Sequence, residues 1–341
     1  MKSGEDFSVP RETNDLGKWS LCVAPMMDWT DKHCRYFHRL LSPHARLYTE
    51  MVTAAALAHG DHARLLAHNP EEHPVALQLG GAEPRELAQA ARLGEDAGYD
   101  EIDLNVGCPS DRVQSGRFGA CLMREPALVA DCVRAMRDAV RVPVTVKCRI
   151  GVDDQDEDED LFAFASCMIE AGVEVLIVHA RKAWLQGLSP KQNREVPPLN
   201  YARVHRLKRE FPALTVVING GIDGLASVQA HLPQVDGVML GRLAYHDPYA
   251  LACIDAALTG GAPPSREALM LRMRAYIERQ RASGVRLAAI MRHVLGLYHG
   301  QPGGKAFRRV LSERTHVADA GWEAVVAALD EVRSQAERRA A

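Results

Sequence analysis

Eight short β-rich runs, each ending in small or polar residues, alternate with helical patterns from Ser20 to about residue 245, and this rhythm constrains the chain most. The runs are Ser20–Pro25, Leu47–Thr53, Pro74–Gly81, Glu101–Cys108, Val142–Ile150, Glu174–Arg181, Leu214–Ile222 and Gly237–Leu243. Between them lie helical patterns such as Pro84–Ala97, Pro126–Val140, Leu161–Ala171, Tyr201–Glu210 and Leu225–His231. A strand followed by a helix, repeated about eight times over some 230 residues, is the pattern of a (β/α)8 TIM barrel. A doubly wound sheet would need an early GxGxxG turn, and the chain has none.

The punctuation Gly260-Gly261-Ala262-Pro263-Pro264 ends this rhythm. Beyond it the pattern is helical, at Arg266–Gly284, Val285–Leu297 and Gly321–Arg338. The expectation is a flexible tail over 1–19, an α/β TIM barrel over 20–260, and a C-terminal all-helical domain over 261–341. Charge separates the last two. Residues 265–314 hold eleven Arg and Lys against Glu267, Glu278 and Glu313, a surplus of eight in a chain whose net charge is -3. Arg272, Arg279 and Arg286 recur every seven residues, which would make a basic stripe if one helix ran unbroken. Such a surplus points to a polyanionic partner.

No apolar run reaches the roughly 20 residues of a membrane span, and the amino terminus is polar and acidic. A cytoplasmic location is expected. The eight cysteines are scattered without CxxC spacing, so most are expected to be reduced core residues. Cys34 and His38 stand four apart on a helical pattern, but two ligands do not make a zinc site. The acidic run Asp153–Asp160 lacks histidine and spaced glycine, and is expected to be a solvated loop entering a helix.

In a barrel the carboxyl ends of the strands converge on one mouth. The strand ends deliver Pro25, Met26 and Met27; Tyr48 and Glu50; Gln78; Asn105 and Cys108; Lys147 and Arg149; His179 and Arg181; Asn219, Gly220 and Gly221; Gly241 and Arg242. The last two groups stand where barrel enzymes bind phosphate, and their glycines let backbone N–H groups approach an anion. Alternation places Thr145 and Lys147 on one face, inward if the mouth needs a cation; a Schiff-base lysine is the rival chemistry. Gln78 and Asn105 are amides suited to the edge of a planar heterocycle. Cys108 sits in Gly107-Cys108-Pro109, a rigid turn just past a strand. A buried structural thiol is the alternative to a reactive one there.

Several motifs closely resemble the tRNA-dihydrouridine synthases. They are Ala24-Pro25-Met26-Met27-Asp28-Trp29-Thr30-Asp31, Leu104-Asn105-Val106-Gly107-Cys108-Pro109-Ser110, Lys147-Cys148-Arg149-Ile150-Gly151, Val178-His179-Ala180-Arg181 and Asn219-Gly220-Gly221-Ile222. The stretch from Val113 to Met123 is similar to the bacterial DusA-type subfamily. The resemblance implies an FMN enzyme that uses NADPH to reduce D-loop uridines of tRNA, at positions 20 and 20a; a monomer without obligate protein partners is expected. It implies that Asn219, Gly220, Gly221, Gly241 and Arg242 hold the FMN phosphate. Pro25, Met26 and Met27 would pack its ring, Gln78 would bond its polar edge, and Lys147 and His179 would meet its pyrimidine end or ribityl chain. Hydride would go to C6 of the uracil and a proton from Cys108 to C5, with Asn105 holding the base edge. Arg181, Lys191, Arg194, Lys305, Arg308 and Arg309 would contact tRNA. A related FMN barrel acting on a free pyrimidine would share the phosphate site but leave the basic tail unexplained.

Overall fold

A computed structural model describes residues 16–155 and 158–340. Among the described residues nine strands form: β1 (Leu21–Val23), β2 (Arg46–Tyr48), β3 (Val52–Thr53), β4 (Val75–Gly80), β5 (Glu101–Val106), β6 (Val144–Arg149), β7 (Val175–His179), β8 (Thr215–Asn219) and β9 (Gly237–Leu240). All pairings are parallel. β1 pairs with both β2 and β9, and β2 pairs with β4, so eight strands close into a ring with β3 outside it. The fold is the TIM barrel.

The run Leu47–Thr53 is therefore not one strand. β2 leaves the ring at Thr49, whose Oγ1 accepts the Gln78 N–H at 3.0 Å in place of a backbone carbonyl. The chain resumes as β3, which pairs only with Leu79 and Gly80 at the end of β4. Two residues of the expected tail, Lys18 and Trp19, are bonded to the barrel. Residues 1–15 lie outside the described residues, but Trp19 donates Nε1 to Glu101 at 2.8 Å and the Lys18 carbonyl accepts from Arg46 at 3.3 Å. These residues floor the barrel.

The strands read as near-continuous apolar runs because both faces are buried. Their outward residues, such as Leu77, Leu104, Val146, Leu176 and Ile218, join the surrounding helices in one large core. A separate inner core holds Cys22, Ala24, Tyr48, Ala76, Val175, Ile177, Val217 and Met239. It fills the β1, β7, β8 and β9 side of the barrel with apolar groups. The remaining inner wall, on β5 and β6, is polar.

Past Gly260, left-handed at φ 72°, helices span Arg266–Ala282, Leu287–Met291, Gly304–Arg314 and Trp322–Ala340. The expected stripe of Arg272, Arg279 and Arg286 is broken, because the first helix stops before Gly284 (φ 85°). Arg279 instead pairs with Glu71 at 3.1 Å, and Arg286 donates to the His316 carbonyl at 3.3 Å. The helix Gly304–Arg314 was not foreshadowed by periodicity. It buries Phe307, Val310 and Leu311 and leaves Lys305, Arg308 and Arg309 exposed.

The helical region docks on the first barrel helix, Lys32–Leu41. Tyr276 stacks on Tyr36 with centroids 3.8 Å apart, and its hydroxyl meets His33 Nδ1 at 2.6 Å. Asp31 accepts from Arg292 at 2.7 Å and lies 3.1 Å from His293 Nε2. Burial raises the Asp31 pKa, yet the hydrogen bonds and charge of His293 and Arg292 hold it well below the usual carboxylate range.

Candidate active site

Strand alternation aims Glu101, Asp103 and Asn105 of β5 and Thr145, Lys147 and Arg149 of β6 inward, with Asp103 beside Thr145 and Asn105 beside Lys147 in the ladder. Their polar groups form one continuous column. Glu101 Oε1 accepts from the Tyr48 hydroxyl at 2.8 Å and sits 2.7 Å from Thr145 Oγ1. Thr145 Oγ1 is 3.0 Å from Asp103 Oδ1, and Asp103 Oδ2 accepts from Gln78 Nε2 at 2.7 Å. Gln78 Oε1 in turn accepts from Asn105 Nδ2 at 2.8 Å. The column climbs from the barrel floor to its mouth and ends at the Cys108 turn.

That turn is held by side chains. Asn105 Oδ1 accepts the backbone N–H groups of Gly107 at 3.1 Å and Cys108 at 2.9 Å. Arg149 donates Nε to the Gly107 carbonyl at 3.1 Å and NH1 to the Asn193 carbonyl at 2.9 Å. One buried guanidinium thus ties the thiol turn to the loop after β7. Gln114 makes a second tie, donating to Pro109 O at 2.9 Å and Leu185 O at 2.7 Å. Behind the turn Gly119 has φ 78°, and a Cβ there would stand 2.5 Å from the Cys108 carbonyl oxygen. Cys108 is half-buried, with Sγ 3.5 Å from Ser110 Oγ. It is not the sealed structural thiol that Cys22, Cys34, Cys132 and Cys148 are.

The mouth is electropositive. Burial draws the Lys147 pKa down to about 8, against the opposing pull of Asp103. Lys147 donates to Asn219 Oδ1 at 3.2 Å, and Asn219 Nδ2 donates to the Met239 carbonyl at 2.8 Å. Burial, and then the cations Arg149, Lys147, Arg181 and Arg194, push the His179 pKa well below its ordinary value. The imidazole is neutral, and among the described residues it makes no hydrogen bond within the chain. Arg149 and Arg181 bond backbone carbonyls, which holds them in place without cancelling their charge, and the buried Arg181 Nε has no hydrogen-bond partner among the described residues. Arg242 pairs with Glu195 at 2.6 Å. Beside these groups Gly220 has φ 107°, and a Cβ there would lie 2.5 Å from His179 Cδ2. Any other residue at that position would push into the imidazole. A neutral hydrogen-bonding ring, a glycine cradle and uncancelled positive charge at one mouth fit an anionic, planar, phosphate-bearing group.

Residues 22–334 match the family model for dihydrouridine synthase (Dus). The chain belongs to the dihydrouridine synthase family. It is 62% identical over 311 residues to the tRNA-dihydrouridine(20/20a) synthase of Xanthomonas axonopodis pv. citri, spanning 91% of this chain and 93% of that one. It is 55% identical over 323 residues to the enzyme of the same name from Escherichia coli K12, spanning 94% and 93%. A solved 2-naphthoyl-CoA reductase is similar in fold alone, with TM-score 0.54 and 10% identity; the match covers 71% of this chain and 50% of the reductase. As a member of this family the protein is an enzyme, a flavin-dependent oxidoreductase.

The structure brings most of the expected residues of the family site together. Pro25, Met26 and Met27 follow β1, where Thr30 Oγ1 accepts the Met26 N–H at 2.9 Å and Met27 is 56% exposed. Gln78, Lys147, His179, Asn219, Gly220 and Gly221 line the mouth with Asn105 and Cys108, at or just past the ends of β4 to β8. Gly241 immediately follows β9, and Arg242 opens the short helix Arg242–His246. Lys191 and Arg194 are exposed on the loop after β7, and Arg181 is half-buried at its start. Lys305, Arg308 and Arg309 belong instead to the helical region, away from the thiol turn in sequence and fold. Residue types alone did not show how Asn105 and Gln78 are used. Both amides already serve the column, and each has one N–H left over for a ligand. Arg149 as the tie of the Cys108 turn was also missed; the signal available was an arginine inside an apolar strand, which must be bonded to something.

The acidic run is more than a solvated loop. Residues 156 and 157 lie outside the described residues, but Asp153 pairs with Arg124 at 3.1 Å and accepts the Leu185 N–H at 2.8 Å. Asp158 opens the helix Asp158–Glu170 and bonds Arg203 at 3.0 Å, as well as Arg206. Among the described residues no cluster of His, Cys, Asp and Glu suits a metal.

Proposed function

We propose that this protein reduces uridines in the D-loop of tRNA, at positions 20 and 20a, to 5,6-dihydrouridine, with FMN as cofactor and NADPH as reductant. When bound, FMN supplies the hydride that reaches C6 of the uracil. The chain's own residues bind, orient and protonate. Asn219, Gly220, Gly221, Gly241 and Arg242 hold the phosphate, with Arg242 exchanging Glu195 for the anion. Pro25, Met26 and Met27 cover the ring, and Gln78 offers its remaining N–H to the polar edge. Lys147 and the neutral His179 would meet the pyrimidine end and ribityl chain, where Lys147 would supply a positive charge beside the ring.

Cys108 gives its thiol proton to C5 as a general acid. Its turn fixes the sulfur at the mouth, and the remaining Asn105 N–H meets the uracil edge. The substrate base must leave the RNA fold to reach this depth. Arg181, Lys191 and Arg194 rim the mouth, and Lys305, Arg308 and Arg309 offer phosphate contacts from a helical tRNA-binding domain over 261–341. We place the enzyme in the cytoplasm as a monomer; among the described residues no helix is long and apolar enough to cross a membrane.

The observation that carries this reading is the Cys108 thiol held half-exposed on a pinned turn at an electropositive barrel mouth. Mapping dihydrouridine in tRNA from a strain lacking the gene tests it. The modification should vanish at positions 20 and 20a and return with the wild-type gene. Unchanged modification at both positions would overturn the assignment.

A further inference from the structure

The polar column inside the barrel has a definite set of donors and acceptors. Asn105 Oδ1 accepts two backbone N–H groups, so its Nδ2 must be the group facing Gln78. Gln78 therefore presents Oε1 to Asn105 and Nε2 to Asp103, which makes Asp103 Oδ2 an acceptor. At the other end, Glu101 Oε2 faces two groups that only donate, Trp19 Nε1 at 2.8 Å and Arg46 NH1 at 3.1 Å. The buried Arg46 guanidinium beside it makes Glu101 the favoured site for the negative charge of the pair. Thr145 stands between the two acids with a single hydroxyl hydrogen, 2.7 Å from Glu101 Oε1 and 3.0 Å from Asp103 Oδ1. That hydrogen goes to the nearer, charged oxygen. The contact with Asp103 then lacks a hydrogen unless Asp103 supplies one.

We infer that Asp103 is a protonated, neutral acid at neutral pH, donating from Oδ1 to Thr145 and accepting at Oδ2 from Gln78. Two ionised carboxylates two residues apart on one buried strand face would repel, and among the described residues only Glu101 has a guanidinium paired with it, Arg46; a neutral Asp103 avoids that repulsion. Burial, reinforced by the Glu101 charge, pushes the Asp103 pKa from 3.8 up to about 8. The groups facing Asp103 are Glu101 on its own strand and Thr145 and Lys147 on β6, with Gln78 on β4; Cys22, Tyr48 and Arg46 face Glu101 further down. The consequence for the mouth is direct. With Asp103 neutral, no ionised carboxylate offsets the burial that lowers the Lys147 pKa, so an anionic ligand at the mouth becomes the group that favours its charged form. Asp103 acts as a positioning residue, orienting Cys108 through Gln78 and Asn105.

The test is infrared spectroscopy of the full-length protein as purified, at pH 7. A protonated-carboxyl C=O band is expected that shifts in D2O, shifts again when aspartate carries a 13C side-chain carboxyl, and is missing in Asp103→Asn. No such band, a band that answers to labelled glutamate instead, or one that persists in Asp103→Asn would overturn the inference. The labelling arm uses the wild-type protein, so it separates aspartate from glutamate even if the variant folds poorly, and the pH dependence of stability below adds a second reading. Thermal stability gives an independent readout. Unfolded aspartate ionises near pH 4, whereas folded Asp103 keeps its proton to about 8. Its favourable contribution is therefore full at low pH and lost as pH rises through that window. Asp103→Asn, which reproduces the neutral donor and acceptor, should gain on the wild type progressively from pH 4 to pH 8. A Tm difference flat across that range would overturn the protonated state.

Discussion

The cations of the barrel mouth and those of the helical region are placed by opposite means. At the mouth, Arg149 is buried and bonds carbonyls on two loops, and Lys147 is held by Asn219. On the helix Gly304–Arg314, Lys305, Arg308 and Arg309 project from an otherwise buried turn pattern, with one exposed pairing, Arg309 to Glu313 at 3.3 Å. The first set is fixed by bonds within the barrel, and its charge faces the mouth. The second stands exposed on a helix surface. Removing a mouth cation should therefore cost structure and chemistry with little salt dependence, and removing a helical one should cost binding in a strongly salt-dependent way.

The largest expected effect lies at the mouth and involves no charge. Cys108→Ala should lower single-turnover uridine reduction by roughly 10²–10⁴-fold, the usual worth of a general acid, while flavin absorbance and tRNA affinity stay as in the wild type. Turnover at the wild-type rate would take the thiol out of the reaction.

Next comes the tie. Arg149→Met leaves the Gly107 and Asn193 carbonyls without their donor, at a cost of about 2–3 kcal/mol in urea unfolding. The loss should be similar at low and high salt. Arg149→Lys should recover only part of it, because an ammonium cannot bridge both carbonyls as the planar fork does. An unmoved urea midpoint would show that the two loops are held by something else.

The smallest effect on the fold belongs to the helical region. Reversing Arg308 and Arg309 to Glu should leave stability within about 0.5 kcal/mol. It should weaken tRNA binding roughly tenfold and make the dependence of log affinity on log salt shallower by about 1–2. A salt slope equal to the wild type's would move the RNA surface elsewhere and dissolve the contrast between the two sets.

The barrel was legible because its strands are apolar on both faces and are punctuated by polar ends, a pattern that local sequence carries in full. Inward alternation likewise puts Lys147 and Thr145 on one face from the sequence alone. The motif-bearing residues of the mouth were legible as types. Their partners were not, because the bonds from Gln78 to Asp103 and from Arg149 to Asn193 join residues 25 and 44 positions apart. The break in Leu47–Thr53 was hidden because a threonine hydroxyl replaced a backbone carbonyl, which composition does not signal. The stripe of arginines failed for the opposite reason. Its period was real, but Gly284 ends the helix before Arg286.

Asp31 ties these regions together. It caps the helix Lys32–Leu41 through the N–H groups of His33 at 2.9 Å and Cys34 at 3.0 Å, and it also takes Arg292 and His293. The loop that carries Met26 and Met27 therefore ends in the joint that seats the helical region. Spacing between the two parts is set by this keyed socket and not by the length of the Gly260–Pro264 connection. The molecule carries a fixed calliper, one jaw at the thiol and the other on the basic helices.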